Sequence, residues 1–482
     1  MDHINEDISE LLAGFDKERV LSINKIPQSG SIRIYYRILT EPKSYIATYG
    51  SNIKENFSFI QFSRHFKMKN CPVPEIYAVN TQGTLYIQED FGDISLLNCL
   101  EQEGPTDHVF NLFRQSLKEL AHLQIQGDQG LDYDNWTLTS SEFGKQAIMS
   151  DLLYFKYYFL DTLQLPYDKE KLVADFETFS SGLGNVEHKY FMFRDFQSRN
   201  IMIKKEKVHF IDFQGGMKGA LQYDLASMLW QAKAELSEEW KKDLLEFYMD
   251  CVEEELGVPF KKELFVEQYH GYVLIRIMQV LGAYGFRGLF ERKAHFLVSI
   301  PLGLKNLRSF LRQYNIGKNI PEFERMLNLI VEDDIIERFI PPRANADTPL
   351  VVHINSFSFR KSIPPDITGN GGGFVFDCRA ILNPGRREEF KTKTGRDREV
   401  MDFLEQQTKM PEYMNSVFDL VDISVEDYIR RGFKNLMVNF GCTGGQHRSV
   451  YAADSLGRHL KNKFGVTVEI NHVEQTSKDW KN

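Results

Sequence analysis

Three oxygen-bearing side chains interrupt two apolar runs between residues 191 and 216. "FRDFQSRN" places Asn200 five residues after Asp195, and "VHFIDFQGG" places Asp212 twelve after Asn200. Such a set suits magnesium-dependent phosphoryl transfer. One carboxylate accepts a hydroxyl proton, while an amide oxygen and a second carboxylate hold the metal against phosphates. Singly, either acid reads more readily as a turn or cap residue at a strand end. The joint spacing is what carries the metal-phosphate reading.

A second constellation lies in "NLMVNFGCTGGQHRSVYAADSLGRHL", which reads as strand, glycine-rich turn and helix. Val450, Ala453, Leu456 and Leu460 give the helix an apolar face. Main-chain amides at Gly441, Gly444 and Gly445 can approach an anion closely. His447, Arg448 and Ser449 stand at the helix start, where the dipole favours negative charge. No Gly-Lys-Ser/Thr follows, so this is a phosphate cradle other than a P-loop. The plain alternative is a tight strand-to-helix turn. A chemical alternative is the spacing from Cys442 to Arg448 and Ser449, which is that of cysteine-dependent phosphatases. Gly441 precedes the cysteine where those enzymes carry a histidine.

The elements that must position these groups follow from periodicity. Residues 1–23 read as a helix through Ile8, Leu11, Leu12 and Phe15. "SGSIRIYYRILT" and "KSYIATYG" alternate as strands, "ENFSFIQFSRHFKMKN" is helical, and "EIYAVN" and "GTLYIQED" are strands. The first ~95 residues are thus a small β-rich unit with one inserted helix. Residues 108–180 and 218–335 read as mostly helical. "ERFIPPRANADTPL" reads as a linker. Beyond it, "LVVHINSFSF", "GGFVFDCRA" and "NLMVNFGC" alternate with helices, an α/β pattern. The expected division is 1–95, 96–340, a linker at 341–348, and 349–482.

Composition narrows the function classes. The 482 residues are 42% hydrophobic and 26% charged, with a net charge of −9. That is an ordinary globular balance, and its acidity argues against nucleic-acid binding. Five scattered cysteines with no Cys-x-x-Cys pair argue against a disulfide framework or zinc site and fit a reducing cytoplasm. The start lacks a basic region followed by an apolar core, so no signal peptide is expected. No membrane span is expected either. The apolar stretch 271–290 contains two arginines and reads as core, and His270 and His295 read as packed residues.

Residues 1–340 resemble the aminoglycoside-phosphotransferase branch of the kinase-like fold. "FRDFQSRNIMI" and "IDFQGGMKGALQYDLASML" are similar to its amino-sugar kinases, which phosphorylate the anomeric hydroxyl of N-acetylmuramate or N-acetylglucosamine. The resemblance implies a bilobal α+β fold with ATP and Mg2+ as cofactors. It makes Asp195 the base and Asn200 and Asp212 the magnesium ligands, and gives Asp224 a structural role. It places main-chain amides of Gly30 and Ser31 at the phosphates, and the backbone of Gln88, Glu89 and Asp90 at adenine. Glu55, opening a helix, matches the position of the helix glutamate. Phe193 replaces the usual catalytic-loop histidine, and Gln214 is the third residue of the metal motif. The strand "SYIATYG" lacks the usual phosphate-binding lysine. Lys43 and Lys54 flank it, and Arg194 or Arg199 are the alternative cations, each also readable as a loop brace.

Residues 349–475 resemble the C-terminal domain of the RNase adapter RapZ family. The matching segments are "INSFSF", "VFDCRAILNP", "TKTGRDREVMDFLEQQ" and "FGCTGGQHRSVYAADSL". The P-loop half of that family is absent, so its RNA-adapter role is not carried over. The resemblance implies a phosphosugar pocket, for a ligand such as glucosamine 6-phosphate, and a homo-oligomer. By position the pocket includes Ser356, Phe359, Arg360, Asp377, Arg379, Asn383, Thr394, and the loop Gly441, Cys442, Thr443, Gly444, Gly445, Gln446, His447, Arg448 and Ser449.

The expectation is a cytoplasmic sugar kinase, acting on an amino sugar, with a second phosphosugar-binding domain. The alternative is a pseudokinase-type sensor that binds nucleotide and an amino-sugar phosphate.

Overall fold

A short amphipathic helix, α1 (Asp2–Ala13), opens the chain, and the alternation of "VLSINK" then begins a strand. The computed structural model describes residues 2–26, 33–41, 43–186, 189–291, 294–315, 319–369 and 372–478. Its residues group into two units, Met1–Phe286 with Leu302–Glu332, and Arg287–Pro301 with Asp333–Asn482.

In the first unit β1 (Val20–Lys25), β2 (Ile34–Thr40), β3 (Ser44–Tyr49), β4 (Ile76–Val79) and β5 (Leu85–Glu89) form an antiparallel sheet ordered β1-β2-β3-β5-β4. The period-2 pattern sorts side chains to two faces. Tyr36, Ile38, Tyr45, Ala47, Leu85 and Ile87 pack under Ile8 and Leu12 of α1. The other face meets α2 (Ile53–Met68), where Phe59 stacks on Phe213 at 4.8 Å and tilts over Tyr86 at 5.6 Å. The helix expected over 1–23 stops at Ala13. Asp16 N–H closes the last turn on Leu12 O, and Phe15 turns aside to stack on Tyr77.

The helical part follows as α3 (Leu96–Glu103), α4 (Asp107–Ile125), α5 (Tyr133–Trp136), α6 (Lys145–Tyr158) and α7 (Lys169–Gly184). The chemistry-bearing stretch comes next as two antiparallel pairs. β6 (Lys189–Met192) pairs with β9 (Met217–Ala220), and β7 (Ile201–Lys204) with β8 (Lys207–Phe210). Then come α8 (Leu221–Leu229), α9 (Glu238–Leu256), α10 (Lys262–Tyr284), α11 (Ala294–Leu297), α12 (Ile300–Gln313), α13 (Pro321–Ile330) and α14 (Asp333–Glu337), of which α11 and α14 group with the second unit. The stretch Lys262–Phe290 is long and apolar enough to cross a membrane, but 56% of its apolar window is buried within the protein. α10 packs against α6 and α8, as a core helix does.

In the second unit β10 (Val351–Ser358), β11 (Phe374–Asp377), β12 (Asn435–Cys442) and β13 (Thr467–His472) form a parallel sheet ordered β11-β12-β10-β13. Helical crossovers are what a parallel sheet requires. They are α15 (Arg398–Gln407), α16 (Met410–Arg431) and α17 (Arg448–Phe464), with α18 (Val473–Lys478) closing the described chain. β13 was not expected from sequence, because its short charged alternation gives a weak strand signal. The segment read as a linker is tied to this unit, with Ala344 N–H donating to Phe464 O at 2.7 Å.

Candidate active site

The two antiparallel pairs bring Asp195, Asn200 and Asp212 together. Asn200 Nδ2 donates to Asp195 O at 2.9 Å and lies 3.4 Å from Asp212 Oδ2. The turns that make this possible are uncommon for non-glycine residues, with φ of 77° at Arg194 and 72° at Asp212. Backbone held there costs on the order of 1–3 kcal/mol and clusters at functional sites. Gln214 Nε2 donates to Asp212 Oδ1 at 3.0 Å, while its Oε1 is buried without a hydrogen-bond partner. The described residues hold no cluster of three His, Cys, Asp or Glu side chains suited to a metal. Mg2+ needs none, because it uses one or two protein carboxylates together with phosphate oxygens and water. Asp212, Asn200 and the orphaned Gln214 oxygen form a hard-oxygen donor set of that kind, so the residues fit the ion.

Asp195 keeps 46% of its side chain exposed and is oriented by Arg276 of α10, whose Nη2 donates to Oδ1 at 3.0 Å. Burial works to raise this carboxyl, yet Arg276, with Arg199 and Arg194 beyond it, holds it below its ordinary value. Arg276 is itself buried. Sequence reasoning missed it, although a lone arginine in the apolar run "GYVLIRIMQVLG" was a signal.

The backbone at Phe193 and Arg194 is braced from beneath. Asp224 accepts from Phe193 N–H at 2.7 Å, Arg194 N–H at 2.8 Å and Gln124 Nε2 at 2.9 Å. Tyr248 OH in turn donates to Gln124 Oε1. Full burial pushes the Asp224 carboxyl up to about 7 despite the three donors. Phe193 sits in an aromatic cluster, edge-on to Phe196 at 5.3 Å and Phe213 at 5.8 Å. Apolar packing thus fills the place of the family's histidine. Arg194 donates to Asp151 Oδ1 at 3.0 Å and acts as a loop brace.

The cation near Asp212 comes from elsewhere. Lys43 and Lys54 are both exposed. Arg33, just before β2, donates from Nη2 to Asp212 Oδ1 at 3.0 Å, and its Nε lies 3.4 Å from Glu55 Oε1. Its side chain is only 5% exposed. The sequence signal, passed over, was an arginine sharing the cleft-side register with Tyr35 in "SIRIYYRI". Gly30 and Ser31 lie outside the described residues. Gln88, Glu89 and Asp90 stand at the end of β5, and their side chains serve the fold. Gln88 reaches Thr48, Glu89 pairs with Lys67, and Asp90 pairs with Arg37. Glu89 N–H donates to Glu75 O, and Asp90 O accepts from Lys204.

In the second unit the glycine loop joins β12 to α17 as expected, but its polar side chains do not line a cradle. Gln446 Nε2 donates to Lys391 O and Lys393 O, and His447 Nε2 contacts Phe390 O at 2.8 Å. Arg448 Nη1 donates to Ile381 O at 2.7 Å and Arg379 O at 3.1 Å, and Nη2 reaches Thr443 Oγ1. These residues clamp the loop to the 379–393 segment, so the side-chain bonds of Gln446 and His447 and most of those of Arg448 serve the fold. The physical reason is burial. Main-chain carbonyls enclosed there need donors, and His447 and Arg448 supply them. Arg448 Nε is buried without a hydrogen-bond partner, and Cys442 Sγ accepts from Gly445 N–H and contacts Ser449 Oγ, each at 3.2 Å.

Ser356 is fully buried and bonds His472 Nδ1 at 2.8 Å, so it lies inside the sheet rather than in a pocket. Asn383 Oδ1 accepts from Gly385 N–H, and Thr394 donates to Asp397, as turn residues do. Phe359 lies under the Arg379 guanidinium at 4.2 Å, and Asp377 pairs with Arg379 at 2.7 Å. Arg360 is exposed, and Gly444 faces open space. Arg396, Asp454 and His472, which sequence reasoning did not single out, form a further polar cluster. Arg396 pairs with Asp454 at 2.8 Å, and together with His472 holds that acid down to about 2 against its burial.

Comparison with known proteins follows this division. Residues 25–255 match the phosphotransferase enzyme family, and residues 350–476 match the RapZ C-terminal domain. A nucleotide-binding protein of Fervidobacterium nodosum is 41% identical over 130 residues, 27% of this chain and 44% of that protein. Nucleotide-binding protein FN1089 of Fusobacterium nucleatum is 31% identical over 212 residues, 42% of this chain and 69% of that protein. The chain spans less than half the length of the first curated relatives it matches. Among solved structures, choline kinase LicA from Streptococcus pneumoniae aligns at TM-score 0.43 and 15% identity, over 64% of this chain and 99% of that one. Aminoglycoside phosphotransferase APH(4)-Ia aligns at 0.42 and 14%, over 64% and 98%. Residues 25–255 thus belong to the phosphotransferase enzyme family, and the chain joins that domain to a RapZ C-terminal domain.

Proposed function

We propose that the first unit transfers the γ-phosphate of ATP to a hydroxyl of a small polar acceptor, an amino sugar of the N-acetylglucosamine or N-acetylmuramate type. The observation that carries this reading is the convergence of Asp195, Asn200 and Asp212, with the orphaned Gln214 oxygen beside them. Asp212, Asn200 and Gln214 would hold Mg2+, which supplies neutralisation of charge on the phosphates. Asp195, half-exposed and fixed by Arg276, accepts the proton of the attacking hydroxyl. Adenine recognition falls to main-chain groups around the end of β5 other than Glu89 N–H and Asp90 O, which Glu75 and Lys204 occupy, since the side chains of Gln88, Glu89 and Asp90 are engaged in the fold. The second unit binds a phosphorylated sugar through the turn amides of Thr443 and Gly444 with Arg360 and Arg379. Its clamped residues Gln446, His447 and Arg448 shape the loop. Five buried free cysteines fit a reducing cytoplasm.

The test is ADP release from Mg-ATP across a panel of amino sugars. One or more should be turned over, and Asp195→Asn should lower kcat by roughly 10²–10⁴-fold while nucleotide binding persists. A sensor that binds nucleotide without turnover is the second reading, favoured by the lysine-free β3. Binding of nucleotide with no ADP from any sugar would select it.

A further inference from the structure

The lysine missing from β3 leaves a question of charge. Phosphates brought to Asp212 and Asn200 need a cation beside them. The cleft-side positions of β3 hold Ile46 and Thr48, Lys43 and Lys54 are exposed, and Arg194 is tied to Asp151. Arg33 alone among these cations contacts the metal-motif acid, at 3.0 Å. It bridges that acid to Glu55 at the start of α2, so it joins the helix carboxylate to the metal carboxylate.

The fold is shaped around this side chain. Ile34 is paired with Tyr49, which sets Arg33 beside Gly50 at the end of β3. A Cβ at Gly50 would lie 3.2 Å from Arg33 Cγ and 2.7 Å from Asn56 Oδ1. Asn56 Nδ2 holds the Gly50 and Gly83 carbonyls at 2.8 and 2.9 Å, fixing the turn that leaves this space. Tyr35 lies under the guanidinium at 5.7 Å. A guanidinium presents several donors in one plane, so it can keep one carboxylate and still turn an N–H to a phosphate oxygen. A β3 lysine would offer only a point charge.

We propose that Arg33, carried at the edge of β2, is the cation that holds the nucleotide's phosphates in place of a β3 lysine. It keeps Glu55 and releases Asp212 Oδ1, turning Nη2 to a phosphate oxygen. This rests on the phosphotransfer reading above.

The test uses the full chain and calorimetric binding of ATP, ADP and adenosine, with and without MgCl2. Arg33→Met should weaken ATP and ADP by roughly 10- to 100-fold, the size of a lost charge-assisted bond. Adenosine affinity should stay within about twofold, since adenosine carries no phosphate. Arg33→Lys should fall between, because it keeps charge but loses the fork. Asp212→Asn removes the competing carboxylate, so in metal-free buffer it should bind ATP more tightly than wild type. That variant leaves Arg33 in place and decides the matter even if Arg33→Met is too unstable to purify. Equal loss for ATP and adenosine, or weaker metal-free ATP binding by Asp212→Asn, would overturn the role of Arg33 while leaving phosphotransfer intact. Failure of the wild-type chain to bind any of the three ligands would overturn both.

Discussion

Asp224 is fully buried beneath the catalytic loop, and its carboxyl is pushed from an ordinary 3.8 up to about 7. Between these values the native state keeps a proton that the unfolded chain has lost. The free energy of unfolding therefore falls as pH rises from about 4 to about 7, by up to about 1.4 kcal/mol per pH unit, and levels off above. Denaturant titrations of wild type and Asp224→Asn across that range should show this slope in the former and its loss in the latter. Under the proposed function Arg276 bears on rate instead. Arg276→Met frees the Asp195 carboxylate from its one described ion pair, and kcat should drop by about 10²-fold with little change in the KM for ATP. Phe193 yields a less obvious expectation. Restoring the family's histidine there would place an imidazole among Phe196, Phe210 and Phe213. Phe193→His should therefore destabilise the protein by about 1–3 kcal/mol, read as a lower thermal midpoint, rather than improve activity.

Single elements act here through the space they leave. The β3–α2 turn must admit both Arg33 and Asn56, and Gly50 provides the room. Gly50→Ala should raise the KM for ATP and lower stability by about 1–3 kcal/mol through overpacking. Steady-state kinetics and thermal unfolding check the two effects. The β12–α17 turn depends on Gly445 for a different reason. Its φ is 67°, and an added Cβ would stand 2.4 Å from Glu474 Cγ. Gly445→Ala should destabilise the second unit by about 1–3 kcal/mol and loosen the Cys442 contact that the Gly445 amide makes. Loop residues Gln446, His447 and Arg448 carry the same lesson, because their partners are main-chain carbonyls of the 379–393 segment.

At the level of the molecule, two units with separate cores should unfold in two calorimetric transitions. Under the proposed function each has its own ligand. Mg-ATP should raise the midpoint of one transition, and an amino-sugar phosphate such as glucosamine 6-phosphate that of the other. A phosphosugar that moves neither transition would count against the ligand proposed for the second unit.

Much of this was legible in the residues. Asp195, Asn200 and Asp212 could be singled out by spacing, and the fold brings the three together. Most strands and helices followed from period 2 and period 3.6, which local burial imposes on the chain. The glycine loop was legible as a strand-to-helix turn for the same reason. The partners of buried polar groups were not legible, since they come from residues distant in sequence. Arg33 reaches Asp212 across 179 positions, Arg276 reaches Asp195 across 81, and Arg448 reaches the Ile381 carbonyl across 67. Sequence by itself determined which groups the protein could bring to phosphate. Tertiary structure alone decided which cations face those groups and which are engaged in holding the fold, because burial drives most charges and carbonyls to find partners that only the folded chain brings near.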